Sequence, residues 1–223
     1  GSTPTTLSNG VKMENVGWPK TEEPYLVLMG EGEAKMRLSS NYYPLQEDKS
    51  EEDWKFRLYE AAGAPHADPT AAILPNNFEI AKAKANGTSR DIKSYKGNHV
   101  EGDLHLNEFV TAALVNLDNW ARNGIAAPSA DNHWLQADAD NGKAVARDAY
   151  GNALGGLRSP KIDAPLATYF GCINDSAYST EGSMIHFTQE QHQDNIVIAK
   201  LRSNKPLTSD RSEERRVGIE CRS

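Results

Sequence analysis

The sequence predicts an α/β fold built on a parallel sheet, and three segments support that prediction. YLVLMG, residues 25–30, is an unbroken apolar run between Pro24 and Gly30, which is typical of a strand buried on both faces of a parallel sheet. WKFRLYE, residues 54–60, alternates its side chains between two faces with the period of a strand. Residues 104–123 repeat apolar side chains at three- and four-residue steps, as an amphipathic helix does.

The composition limits the classes of partner. The 223 residues carry 31 acidic and 24 basic side chains, a net charge of -7 that provides no basic surface for a phosphate backbone. No run of eighteen apolar residues is present that would span a bilayer. We therefore expect no nucleic-acid partner and no membrane partner, and a small molecule or another protein instead.

Both ends of the chain have the composition of non-native sequence. Gly1 and Ser2 precede an irregular lead-in through residue 24, which we interpret as a tag scar followed by linker. RSEERRVGIECRS, residues 211–223, is densely charged, has no apolar period and resembles a translated sequencing adapter, which would indicate a metagenomic fragment. We expect the folded domain to occupy residues 25–210. Localisation is not readable, and a secreted or periplasmic site with the leader removed is one alternative.

Two polar groups follow the two predicted strands. Glu31 and Glu33 come directly after residues 25–30, before a polar segment, and the second strand leads into a glycine turn that ends at His66. Functional groups collect at the carboxyl ends of parallel strands, so Glu31 and His66 are expected to meet there. A carboxylate on one imidazole nitrogen fixes the tautomer and leaves the other nitrogen to take a proton. A solvated glutamate and an ordinary loop histidine give the same pattern, and that alternative stays open.

The later elements are predicted from turn and cap residues. Asp103 is expected to cap the helix, which ends at Gly124. KAVARDAYGNALGG, residues 143–156, predicts a strand and a turn made by Gly151, Gly155 and Gly156, whose spacing fits no phosphate-binding loop. IDAPLATYFG, residues 162–171, predicts an edge strand or loop because it contains proline, and residues 188–201 predict a last helix.

A second constellation has metal-ligand character. HVEGDLH places imidazole and carboxylate groups at every second position, which is a plausible ligand set for zinc or another transition metal: His99, Glu101, Asp103 and His105. Gly102 interrupts a strand there and Asp103 suits a helix cap, so a solvated loop is favoured over a metal site. Cys172 is expected to be a small buried thiol, and Trp18, Tyr42 and Tyr43 either line a substrate site or fill a local core.

Four motifs, taken in order, resemble a family of bacterial α/β-hydrolase-domain proteins. YEAAGAPHAD resembles the family's histidine segment, and LVLMGEGE is similar to its acid segment, a strand that ends in an E-x-E pair. The helix AALVNLDNWARNGIAAP and the following DAYGNALGGLRSPKIDAPLATYFG resemble its C-terminal signature. The resemblance implies the C-terminal part of an α/β-hydrolase fold: the last core strands, helices and a glycine-rich extension.

The resemblance also implies a catalytic triad, of which one member is missing. His66 would be the general base and Glu31 its orienting acid, with Glu33 as the fallback. The family's serine lies in a G-x-S-x-G elbow before the acid, and neither this pattern nor S-x-x-K occurs in the chain, so the nucleophile is unknown. We expect part of a serine hydrolase, an esterase acting on a small-molecule ester without a cofactor, inactive without its upstream half, present in cis or as a separate chain. A non-catalytic binding or scaffold fragment is the second hypothesis, and a metal-dependent hydrolase the third.

Overall fold

A computed structural model of the chain describes residues 5–6, 12–13, 18–67, 79, 81–82, 85, 95–130, 134–177 and 179–193. The strands in these residues are β1 (Thr5–Thr6), β2 (Lys12–Met13), β3 (Tyr25–Gly30), β4 (Lys49–Glu51), β5 (Trp54–Ala61), β6 (Val100–Glu101), β7 (Ala167–Phe170) and β8 (Ser183–His186). The helices that lie wholly within these residues are α1 (Glu31–Ser40), α2 (Leu106–Asn123) and the short α3 (Pro160–Asp163), with a 3-10 turn at Ile173–Asp175. Among the described residues, no helix has the length and apolar character needed to cross a membrane.

The strands form a mixed sheet, an antiparallel sheet and a small ladder. In the mixed sheet β3 runs parallel to β5, and β4 pairs antiparallel with the opposite edge of β5. β8 lies between β6 and β7 in the antiparallel sheet, while β1 pairs with β2. The parallel pair confirms the α/β prediction, and its register brings the ends of both strands, Gly30 and Ala61, to the same edge.

The two parallel strands differ in burial. Every residue of β5 from Phe56 to Ala61 is buried, as expected for a central strand. In β3 only Val27 and Gly30 are buried, and Tyr25 is 37% exposed, so the prediction that this strand is fully buried was wrong. The reason is its position, because among the described residues no strand pairs with the outer edge of β3.

The helix α1 was not predicted. It begins directly after β3 and ends at Asn41, which adopts a left-handed conformation with φ 52°. Its buried positions include Glu31, Glu33 and Arg37, so the face toward the core is largely charged and lacks the apolar stripe that identifies a helix in a sequence.

Buried partners compensate the charges on α1. Arg37 Nε and Nη2 donate to the two oxygens of Glu60 on β5, at 2.6 and 2.8 Å. The same carboxylate accepts bonds from the Tyr43 hydroxyl at 2.6 Å and from the Leu135 N–H at 2.8 Å. The Glu60 cluster, defined as Arg37, Tyr43 and Glu60, therefore joins α1, the following loop and β5 through a fully hydrogen-bonded carboxylate.

The helix α2 confirms the prediction with two corrections. It begins at Leu106, with His105 at the N-cap position, and Asp103 forms an ion pair with Lys161 at 3.0 Å rather than a cap. Gly124 ends it as predicted, with φ 67° and a bond from its N–H to Trp120 O. Leu114 carries one of the apolar side chains of the repeat in residues 104–123 but is 59% exposed, because the helix packs on β3 through a narrower stripe than the repeat predicts.

The region after α2 is mostly irregular. The strand predicted within residues 143–156 is absent from this described segment, where Ala137 with Val145 and Arg147 with Ala153 form isolated bridges. The glycine turn is confirmed, with φ between 68° and 79° at Gly151, Gly155 and Gly156. The extended piece predicted at 162–171 is the end of α3 followed by β7, and 189–193 begin a helix whose predicted remainder lies outside the described residues, as do residues 211–223.

Two apolar clusters form the core. The first lies around β7, β8 and the residues after β5, and it includes Ala61, Leu104, Ile162, Tyr169 and Met184. The second packs Val27, Phe56 and Leu58 with Tyr43 and the partly buried Trp18. Trp18 and Tyr43 thus fill a local core, which was one of the two alternatives for these aromatic residues.

The Cys172 side chain is fully buried, as predicted. Its sulfur lies 3.3 Å from the point where a Cβ on Gly32 of α1 would stand. Burial raises the pKa of this thiol. The cysteine therefore marks a contact between α1 and the segment after β7.

Candidate active site

The loops after β3 and β5 meet at the carboxyl edge of the parallel pair. The N–H of Glu31 donates to Ala64 O at 2.9 Å, which connects the start of α1 to the loop that carries His66. Gly30 allows this approach because a Cβ there would lie 2.8 Å from Ala64 O and 2.9 Å from Pro65 O. The sequence had predicted that an acid and a histidine collect at this edge.

His66 contacts Glu33 in this edge. Its Nδ1 faces Glu33 Oε1, while Glu33 Oε2 accepts the Gly30 N–H at 3.0 Å. The Glu33 side chain is 9% exposed and that of His66 is 48% exposed. The backbone N–H of Gly30 therefore holds the Glu33 carboxylate, and the imidazole ring of His66 extends from that carboxylate toward solvent.

Glu31, our first choice for the acid beside His66, occupies a different place. Its fully buried carboxylate accepts the Gly63 N–H at 2.9 Å and a bond from Arg147 at 2.8 Å. The difference follows from the unpredicted helix. Glu31 is the first residue of α1 and turns under the histidine loop, whereas Glu33, two positions later, reaches back to Gly30 and the ring.

Arg147 is a charged partner that our sequence reasoning missed. Its Nη2 donates to Glu31 and to Asp175, each at 2.8 Å, and its guanidinium lies 4.7 Å from the centre of the Phe170 ring. Burial opposes its charge, but the negative charges of Glu31 and Asp175 outweigh burial and raise the pKa of Arg147. The signal in the sequence was the presence of two glutamates for one histidine, because the one not beside the ring, Glu31, requires a cation once it is buried.

Gly63 allows the loop that carries His66 to turn in a backbone conformation that residues with a side chain disfavour. Its φ of 68° lies in the left-handed region, and a Cβ there would stand 2.8 Å from Ile162 Cδ1 and 3.0 Å from Tyr169 Cβ. Gly171 is equally confined, since a Cβ would lie 2.5 Å from that of Glu31. Both glycines allow the loop to pack closely over Glu31.

A pocket of about 360 Å³ opens beside the ring of His66. Its lining is mostly apolar and comes from β3, α1, the following loop and the start of α2: Leu28, Met29, Gly30, Glu33, Met36, Tyr42, His66 and Leu106. None of these described lining residues is a serine, threonine or cysteine. Tyr42, one of the aromatic residues considered for a substrate site, is on this list, and Trp18 and Tyr43 are not.

The alternative metal ligands point to separate partners. His99 Nδ1 lies 3.0 Å from Ser183 Oγ and its ring packs on Phe170, while Asp103 pairs with Lys161. Glu101 is exposed and His105 occupies the N-cap of α2. No group of three or more potential metal ligands occurs within the described part of the chain, which includes all of residues 99–105.

The comparison with known families agrees with the α/β fold. No curated protein and no solved structure matches the chain. A family model described as an alpha/beta hydrolase domain matches residues 6–195 of the 223 residues. This range contains both parallel strands, His66 and both glutamates, and the chain therefore belongs to the α/β-hydrolase domain family.

Proposed function

We propose that this chain supplies the general base and its orienting carboxylate to an ester-hydrolysing site, with His66 as base and Glu33 as carboxylate. The observation that carries the proposal is the contact of His66 Nδ1 with Glu33 at the ends of two parallel strands. A carboxylate on Nδ1 selects the tautomer whose other nitrogen, Nε2, accepts a proton. The family match supports hydrolase chemistry in general, and the ester substrate is our inference.

The reaction would follow the two steps of acyl transfer. A serine hydroxyl attacks the ester carbonyl while Nε2 takes its proton, and the imidazolium then gives that proton to the departing alkoxide. Water then attacks the acyl-enzyme while Nε2 takes its proton. The imidazolium returns that proton to the serine oxygen, and the acid product leaves. The serine and the N–H groups that stabilise the oxyanion would come from sequence upstream of this chain, because the chain contains no G-x-S-x-G elbow.

Glu31 has a positioning role in this proposal. Its carboxylate holds the Gly63 N–H three residues before His66, and Arg147 neutralises its charge. Glu31→Ala would release the Gly63 N–H and leave Arg147 with Asp175 as its carboxylate partner, which would loosen the loop. The ring would then meet Glu33 in a less defined geometry.

The experiment measures hydrolysis of 4-nitrophenyl acetate by this chain and by a longer product of the same gene that carries the upstream sequence. Each is assayed beside its His66→Ala variant, and a fluorophosphonate probe reports a reactive serine. We expect labelling and His66-dependent activity in the longer protein alone. Activity of the present chain that requires His66 would reveal a nucleophile within it and overturn the missing-serine part.

The scaffold hypothesis predicts a different result. A longer protein that neither hydrolyses the ester nor reacts with the probe would contradict the esterase proposal and favour a binding role. The metal hypothesis predicts activity that a chelator removes and zinc restores.

A further inference from the structure

We infer that the pocket beside His66 binds the uncharged, apolar substituent of the substrate, so that the site selects neutral aliphatic esters over esters that carry an anionic chain. This inference rests on the proposed function for the identity of the reacting centre. What it adds is the class of substrate, which is set by the side chains that line the pocket rather than by the imidazole ring of His66.

The pocket walls are fixed from two sides. Leu28 and Leu106 pack against the first core cluster, and Met29 packs against the second. These side chains are partly buried and part of the folded core, so this part of the pocket wall belongs to β3 and α2, while Tyr42 and His66 contribute from loops. A volume of about 360 Å³ lies near the lower end of the range of small-molecule sites.

The charges around the pocket argue against an anionic ligand. Glu33 is the carboxylate in the lining, and no described lining residue is a lysine or arginine. A second carboxylate in the pocket would lose hydration and meet the charge of Glu33 without a compensating cation. An aliphatic chain instead gains from contact with methionine and leucine side chains, because each methylene removed from water favours binding.

The methionines allow binding to be measured without catalysis. The sequence contains four, and of these Met29 and Met36 line the pocket while Met184 lies in β8 within the first core cluster. Labelling the methionine methyl groups with ¹³C gives two reporters in the pocket and an internal control for folding. The ligands are uncleavable methyl ketones: 2-heptanone, 2-nonanone, and 8-oxononanoate, which carries a terminal carboxylate.

We expect 2-nonanone to shift the methyl signals of Met29 and Met36 and to leave that of Met184 unchanged. Its two additional methylenes should tighten binding about 15-fold relative to 2-heptanone. 8-Oxononanoate should bind at least about tenfold more weakly than 2-nonanone, since its carboxylate has no cation in the pocket. Met36→Glu should abolish the shifts at Met29, whereas Leu114→Glu on the exposed side of α2 should not.

Three outcomes would overturn the inference: no shift of Met29 or Met36 at saturating 2-nonanone, equal shifts at Met184, or equal affinity for the ketone and the oxo-acid. Failure of the proposed function would look different. The ketones would then bind as described, while the longer protein would hydrolyse no ester. The Met184 signal shows whether the Met36→Glu variant has folded, so a misfolded variant is not mistaken for lost binding.

Discussion

At the scale of single residues, the contact between His66 and Glu33 determines which ring nitrogen carries the proton in the neutral imidazole. A carboxylate accepts a hydrogen bond and cannot donate one, so it favours the tautomer protonated at Nδ1. Glu31 is buried nearby but engages Gly63 and Arg147 instead. The two glutamates therefore affect the ring in different ways, which a pair of isosteric variants can separate.

We expect Glu33→Gln to shift neutral His66 away from the Nδ1–H tautomer, because the amide can either donate to Nδ1 or accept from it. Long-range ¹H–¹⁵N correlation spectra distinguish the two nitrogens, and His66→Ala assigns the signals. Glu31→Gln is the matched control and should leave the tautomer at Nδ1–H, because its amide oxygen can still accept the Gly63 N–H and hold the loop. If Glu31→Gln changed the tautomer and Glu33→Gln did not, the assignment of the orienting carboxylate would be reversed.

Gly63 and Gly124 allow the cost of a left-handed backbone to be separated from the cost of crowding. Their φ values are 68° and 67°, but a Cβ on Gly124 meets nothing within 4 Å, whereas one on Gly63 meets Ile162 and Tyr169. We expect Gly124→Ala to lower the free energy of unfolding by about 1 kcal/mol. Gly63→Ala should lower it by about 1–3 kcal/mol more, since the added methyl overpacks the core.

Urea unfolding of the two glycine variants measures these differences. Gly63→Ala should also disturb the tautomer of His66, because its N–H positions the loop on Glu31. Equal destabilisation by the two substitutions would mean that the loop yields to the methyl group and that the close packing around Gly63 has little effect on stability.

At the scale of elements, α1 is held in the structure by buried charge as well as by the apolar side chains of Ala34 and Leu38. The Glu60 cluster satisfies its carboxylate with a bidentate arginine, a phenol and a backbone N–H. Removal of one partner from such a buried group costs more than loss of a surface ion pair. The stability of α1 should thus be sensitive to single polar substitutions.

We expect Arg37→Met to lower the free energy of unfolding by about 3–5 kcal/mol, because it leaves the charge of Glu60 buried without a cation. Tyr43→Phe should cost about 1.5–3 kcal/mol for one lost bond to a charged acceptor. Arg122→Met is the control, since the ion pair of Arg122 with Asp118 is exposed on α2, and its urea midpoint should match that of the parent.

Tyr43 also makes stability depend on alkaline pH. Burial, together with the charge of Glu60, raises the pKa of Tyr43 above the ordinary tyrosine value near 10. The unfolded chain then releases this proton at lower pH than the folded chain, so stability is retained below about pH 10 and decreases as the pH rises above it. Urea midpoints from pH 8.5 to 11 should fall less steeply in Tyr43→Phe than in the parent.

The elements also show what the sequence could predict. The strands β3 and β5 and the helix α2 follow from apolar patterns, because those patterns mark the surfaces that pack. The helix α1 carries charged residues at its buried positions, and without it the roles of Glu31 and Glu33 could not be told apart. Arg147 comes from a segment held by isolated bridges, where no periodic pattern indicates which side chain turns inward.

At the scale of the whole molecule, the outer edge of β3 is an open edge of the mixed sheet. Among the described residues no strand pairs with it, and the strand contains no charged residue or proline that would blunt the edge. The edge of β7 is different, because the Asn152 side chain donates to Ala167 O and accepts the Tyr169 N–H. Under our proposal that the serine comes from an upstream segment, strands of that segment would pair with the β3 edge.

We expect this chain to self-associate through the exposed edge of β3. Sedimentation velocity at increasing concentration should show this association, and Tyr25→Lys, which places a charge on the edge, should reduce it. Leu166→Lys is the matched control, since Leu166 is 63% exposed beside β7. Equal effects of both variants would show that general apolar exposure, and not the strand edge, causes association.

Because the Cys172 thiol is buried, the rate of its chemical labelling can serve as a probe of local opening near the site. No reagent can reach its sulfur while α1 lies over it, so the labelling rate measures how often α1 and the segment after β7 separate. With Cys221→Ser removing the second cysteine of the chain, one label per molecule would report this opening alone. A substrate analogue that slowed the labelling would have stabilised the contact between α1 and the segment after β7, and the change in rate would give the free energy of that coupling.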